Sequence, residues 1–246
     1  MKLLKIELLK QKKFLFILCV LFPLLLNILL YIDLTYRYES YLLVHQSRLG
    51  LSNWQLIFKE QTVFNFSELC QLIIATVVYE VFSVELKNNG WSLVSTSNYR
   101  NKVVYGKYLI AMLAMLVFFL TDYACLVIIG NVIGVSGNIE WVMIIKSFII
   151  QLLSASMMVA AYILIVSLVK RVMFLLPIGI IVMIQNASLY YPDQQFLLQY
   201  PFTYISHGFR ATGNEFLISI AILSILTALF LLLSKRILER NRDIRQ

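Results

Sequence analysis

Six apolar runs punctuate the chain, at residues 14–32, 64–84, 108–133, 142–169, 172–191 and 216–234. A membrane-crossing helix needs about 20 predominantly apolar residues, so each run reads as one crossing. The first, Phe14 to Ile32, is interrupted by Pro23 and Asn27. Lysines precede it as they would in a signal peptide, but no small-x-small cleavage site follows Tyr31-Ile32-Asp33. The pattern predicts an uncleaved first helix. The fourth run is long enough to tilt or to begin outside the hydrocarbon. It is separated from the fifth by the basic pair Lys170-Arg171, with Pro177 soon after. The expected fold class is an all-α membrane protein, a single six-helix domain spanning residues 1–246. Ahead of the first helix, residues 2–10 carry a ragged apolar stripe of Leu3, Leu4, Ile6, Leu8 and Leu9. This segment is expected to lie along the membrane surface, where its lysines meet anionic lipid at about 1 kcal/mol each.

Composition sharpens the class. Of 246 residues, 60% are hydrophobic and 14% charged, with a mean hydropathy of +0.81. Soluble domains are about half apolar and a quarter charged, which excludes a soluble enzyme or binding domain. The net charge of +8 sits at the ends of the apolar runs, not in a stripe, so nucleic acid is not an expected partner. With the N-terminus inside, 16 of the 21 Lys and Arg residues fall in residues 1–13, 87–107, 170–171 and the tail after Ser234. That asymmetry places both termini in the cytoplasm. Tyr31, Tyr36, Tyr38, Tyr41, Trp54 and Trp141 fall where rings anchor a helix at the lipid interface.

Catalytic chemistry is sparse. The two histidines, His45 and His207, lie in outer segments, and neither HExxH nor GxSxG occurs. Cys19, Cys70 and Cys125 sit inside apolar runs without metal-ligand or disulfide spacing. No catalytic residue, metal or cofactor is expected. The segment from Asn101 through Gly106-Lys107 to Tyr108 lacks the first glycine and the Ser or Thr of a P-loop, so ATP is not bound there. Polar groups inside the runs are Glu68, Gln71, Glu80, Asp122 and Gln151. Intramembrane ionisable residues suggest function by default. One reading makes them a proton-coupled pathway; the other makes them groups paired with one another or with a partner chain. Asp122 and Lys146 could form one such pair. Gly130-xxx-Gly134 and the small residues Ser154, Ala155, Ser156, Ala160 and Ala161 predict close packing of the third and fourth helices.

The most informative stretch is the cytoplasmic connector between the second and third runs. Glu85 ends the second run, Gly90 follows five positions on, and Arg100, Lys102 and Gly106-Lys107 lead into the third. Trp91 and Val94, three apart, would share one face of a short amphipathic helix lying on the membrane. In this feature the chain resembles the permeases of ABC-2 type ABC transporters. Their connector carries an E-x4-G…R…GK-like pattern and docks into an ATP-binding subunit as a coupling helix. Size and connector are most similar to the lantibiotic-immunity (MutE/EpiE-like) permeases of Gram-positive bacteria, and the polar segment 192–215 is similar to the partly re-entrant outer segment of the class.

The resemblance implies a non-catalytic permease subunit in the plasma membrane, exporting lantibiotic or other hydrophobic or amphipathic antimicrobial peptides. It implies two kinds of partner, a separate ATP-binding chain and a second permease subunit, identical or related. Glu85, Asn89, Gly90, Arg100 and Lys102 would couple the permease to the ATPase. The alternative is a secondary transporter driven by an ion gradient through Glu68, Glu80 and Asp122. A receptor or scaffold without transport is a third reading.

Overall fold

The computed structural model describes residues 7–11, 13–63, 66–86, 100–169, 171–189 and 213–243, and these contain helices and no strand. Helix α1 (Lys13–Arg37) passes through one π-helical turn (Tyr38–Leu42) into α2 (Leu43–Leu49). There follow α3 (Asn53–Val63), α4 (Phe66–Leu86), α5 (Arg100–Ile133) and α6 (Trp141–Val169). A 3-10 turn (Val172–Phe174) leads into α7 (Leu175–Leu189), and α8 (Gly213–Asp243) completes the described residues.

Among the described residues, four helical stretches are long and apolar enough to cross a membrane: Lys13–Gln46, Lys102–Ile133, Trp141–Val169 and Asn214–Glu239. The second and fifth apolar runs form shorter apolar helices, Leu69–Val84 and Val172–Gln185. Asn65, Ser67 and Glu68 precede the apolar part of α4, while α7 begins after a break at Arg171 and meets Gln185-Asn186 at its far end. The connector 87–99, with Asn89 and Gly90, and the polar segment 192–212 lie outside the described residues.

Local chemistry sets several helix ends. Gly50, at φ +61°, closes α2, its N–H bonded to the carbonyl of Gln46. Gly134, at φ +75°, ends α5: Val135 N–H reaches the carbonyl of Gly130 at 3.0 Å and Gly134 N–H that of Asn131 at 3.2 Å. These two bonds make a Schellman motif, in which glycine takes the left-handed position without a Cβ penalty. α3 starts with a capping box. Gln55 N–H donates to Ser52 Oγ, and Ser52 N–H donates to Gln55 Oε1.

Pairs of contacts fix the helix directions. Phe22 stacks near Phe118 and Asn27 bonds Asp122, so α1 and α5 run parallel. α6 runs antiparallel to α5, since Tyr108 meets Ser156 and Tyr123 meets Phe148. α8 leans chiefly on α6 and runs parallel to it, with Lys146 over Phe216 and Ser156 beside Thr227. α4 is antiparallel to α5 through Val81–Lys107, and α7 packs on α4. One end of the bundle therefore gathers the starts of α1 and α5 with the ends of α4, α6 and α8.

The core between them is well filled, with Phe82, Phe118, Phe119, Leu30, Ile74 and Met115 fully or almost fully buried. Without a hydrophobic force between helices in lipid, close approach depends on small residues. Gly179 supplies one such site, where an added Cβ would lie 2.7 Å from that of Ala75 on α4. Ser154, Ala155 and Ala160 of α6 are likewise buried, and Ser156 Oγ bonds Tyr108 of α5 at 2.6 Å. The Gly130-xxx-Gly134 pair does not serve that contact. Gly130 receives the Trp54 ring of α3, and Gly134 terminates its helix.

Candidate functional site

Asp122 lies in the C-terminal half of α5, eleven residues or about 16 Å before its end. It is completely buried. Asn27 Nδ2, from α1, donates to its Oδ1 at 2.7 Å, and Gln61 Nε2, from α3, donates to its Oδ2 at 2.6 Å. Asn27 Nδ2 also donates to the carbonyl of Pro23, one turn back, at 2.9 Å. Both carboxylate oxygens are thus held by neutral amides. The ion pair with Lys146 does not form, because α1 and α3 cover Asp122 and Lys146 instead sits 5.6 Å above the ring of Phe216. Beside this centre a groove of about 350 Å³ opens between α1 and α5. Leu24, Ile28, Tyr31, Cys125 and Ile128 make it apolar, and the buried Asn27 is the one amide among its lining residues.

α3 is the element that sequence periodicity hides. It descends along α5 from Gly130 to Asp122 and buries Trp54, Leu56, Ile57, Phe58, Glu60 and Gln61. Trp54 is only 3% exposed, seated on Gly130, with Nε1 3.4 Å from the carbonyl of Gly137. It is not the interfacial ring expected from its position, whereas Trp141 and Tyr36 are exposed as such rings are. Farther out, Asn53 Nδ2 donates to Ser136 and Gln55 Nε2 to Glu140. At mid-height Arg37 bridges Asp33 at 3.0 Å and Glu60 at 3.2 Å, tying α1 to α3.

Burial pushes the Glu60 carboxyl above its ordinary value. Asp33 adds to the rise, while Arg37 and Lys59 oppose it without cancelling it. An acid whose pKa rises on folding stabilises the folded form below its unfolded value, and the contribution is lost as pH climbs through the folded value. The docked α3 is therefore expected to weaken as pH rises from about 4.5. Glu60→Gln should remove that part of the slope. Unfolding profiles of the two proteins across pH 4 to 8 check it, and parallel profiles would count against it.

The other end of the bundle holds a second buried polar centre. Lys107 of α5 is 0% exposed. Its Nζ donates to the carbonyl of Val81 on α4 at 2.7 Å and lies 5.3 Å from the Phe82 ring. Glu7, itself 2% exposed, approaches the same nitrogen at 3.6 Å, and Lys10 bonds the other Glu7 oxygen at 2.8 Å. The helical turn around Glu7 is thereby fastened onto the end of α4 and the start of α5, while residues 2–6 of the expected surface segment lie outside the described residues.

The sequence-selected residues distribute over both ends. Glu85 closes α4, Arg100 opens α5, and Lys102 is exposed on its first turn. Gln71 is fully buried, Glu68 lies in the first turn of α4, and Glu80 is half-buried near the Lys107 end. Glu80 stands beside Val81, and Asp122 is about 22 Å farther along α5, so these two carboxylates lie far apart. Asn27, Arg37, Trp54, Glu60, Gln61 and Glu7 are the participants that motif reading passes over. The Ser52-x-x-Gln55 capping box followed by Leu56, Ile57 and Phe58 was the available signal for α3. No family model matches the chain, and no curated protein or solved structure matches it either.

Proposed function

We propose that this chain is a non-catalytic permease subunit of an ATP-driven exporter of the ABC-2 type, working in the plasma membrane of a Gram-positive bacterium. The observation that carries the reading is the Lys107 centre. It joins the last turns of α4, the start of α5 and the Glu7 turn at the base of the connector 87–99. A push on that connector by an ATP-binding partner would reach three elements through one cation. Asn89 and Gly90 on the connector, with Glu85, Arg100 and Lys102 at its two ends, are the coupling residues of this reading.

Six crossings with both termini cytoplasmic fit the same reading. α4, at 21 residues, rises about 31 Å, close to the hydrocarbon thickness. α7 is shorter, and the bilayer accommodates such a helix by local thinning. The bundle end that gathers Lys13, Arg100, Lys102 and Lys235 is the positive, cytoplasmic one. Six helices are few for a complete pathway, so a second permease subunit completes it. The cargo is a lantibiotic or another amphipathic antimicrobial peptide taken from the membrane.

The direct test is purification of the tagged chain from its native membrane in mild detergent, with identification of what accompanies it. An ATP-binding chain is the expected companion; repeated recovery of this chain alone under crosslinking removes the reading. In the assembled complex, Arg100→Glu is expected to reduce transport at least tenfold while insertion stays normal. Transport at the wild-type rate in that variant would take Arg100 out of the coupling set.

A further inference from the structure

Asp122 brings a carboxylate into the apolar interior held by amides that carry no countercharge. Burying a charge is unfavourable unless it is paired, and Lys146 of the packed helix α6 is directed to Phe216, while Arg37 is engaged with Asp33 and Glu60. Among the described residues, the groups facing Asp122 are Asn27 from α1, Gln61 from α3 and Cys70 from α4, with Tyr123 and Cys125 on its own helix. None of these supplies a cation. One atom in the same centre also lacks a hydrogen-bond partner: Oδ1 of Asn27, whose side chain is 4% exposed. Asn27 belongs at once to the Asp122 centre and to the wall of the α1–α5 groove. That groove is open on its side and otherwise apolar.

We propose that the groove and the Asp122–Asn27 pair behind it form one binding site for an amphipathic ammonium ligand. The apolar part of the ligand lies against Leu24, Ile28 and Ile128, within a volume of about 350 Å³. Its ammonium donates to Asn27 Oδ1 and shares the field of the Asp122 carboxylate, a charge-assisted arrangement stronger than a neutral one. Gln61 keeps the second carboxylate oxygen occupied and so closes the site toward the outer face. The site deepens the exporter reading, on which its role as a cargo site rests, by naming positive charge as what the permease selects among membrane-dissolved molecules. Its occupancy does not depend on a partner chain.

Cys125 lines the groove and reports on it. Purified protein in nanodiscs is treated with N-ethylmaleimide, and modification of Cys125 is followed by peptide mass spectrometry. Dodecylammonium is expected to protect Cys125 at concentrations at least tenfold lower than dodecanol, which has the same tail and no charge. Asp122→Asn should erase that difference, and Asp122→Glu should keep it. Equal protection by amine and alcohol would make the groove a plain seat for lipid and overturn the proposal; absence of protection by either would do the same. The comparison of the two ligands on unmodified protein stands even if Asp122→Asn fails to fold. Protection by the amine without any co-purifying ATP-binding chain keeps the site and discards the exporter reading. The reverse pattern discards the site alone.

Discussion

Glu7→Ala is expected to destabilise the protein by about 3 kcal/mol, because it removes a buried carboxylate 3.6 Å from the Nζ of the buried Lys107. Breaking such a pair from one side costs about 3–5 kcal/mol. The lower figure applies because Lys107 Nζ keeps its bond to the carbonyl of Val81. Lys10 adds little, since its side chain is 41% exposed and surface pairs are weak. Glu7→Leu combined with Lys107→Met should recover most of the loss, as removing both charges also removes the desolvation penalty. Unfolding in nanodiscs of the wild type, Glu7→Leu, Lys107→Met and the double variant measures the coupling. Additive losses in the double variant would mean that Glu7 and Lys107 do not depend on each other.

Gly130→Ala is the second large effect. The new Cβ would lie 2.5 Å from Cζ3 and 2.6 Å from Cη2 of Trp54, and 3.3 Å from Cδ1 of Ile57. An indole ring cannot bend aside, so α3 must lift from α5. Overpacking of this kind costs about 1–3 kcal/mol. Because Gln61 rides on the same helix, the lift also loosens its bond to Asp122. Cys70, fully buried and close to Asp122, should then react faster with a thiol reagent. Trp54→Leu in the Gly130→Ala background should restore part of the stability by removing the ring. Unchanged Cys70 reactivity in Gly130→Ala would show that α3 is not seated as described.

The long helices were legible because their signal is local. The apolar runs on either side of Gly134-Val-Ser-Gly137-Asn, the second stopped by Lys170-Arg171, fix Trp141–Val169 and the end of α5 at Ile133 almost to the residue. The break at Lys170-Arg171 was also visible, since a basic pair stops an apolar run. α3 was not, because its polar residues face inward. Glu60 and Gln61 look solvated in sequence and are satisfied in space by Arg37 and Asp122, from helices remote in the chain. Asp122 was recognised as an anomaly, but its partners were assigned by charge, which favoured Lys146. Amides made the bonds instead, and no spacing rule links Asn27 to Asp122 across 95 positions. Lys107 was noted only as half of a Gly-Lys pair. Its buried position brings it to the carbonyl of Val81 and to Glu7, a residue that a count of positive charge treats as a lone exception.

The parallel pairing of α1 with α5 also has a history in time. Asn27 is synthesised 95 residues before Asp122, an interval of about 5–20 s at ordinary elongation rates of about 5–20 residues per second. Throughout it the first helix sits in lipid with an amide whose final partner does not yet exist. The bond from Asn27 Nδ2 to the carbonyl of Pro23 lies wholly within α1, so it is available from the moment that turn forms. It holds the amide in a waiting position, and the same nitrogen turns a spare hydrogen to Asp122 when α5 arrives.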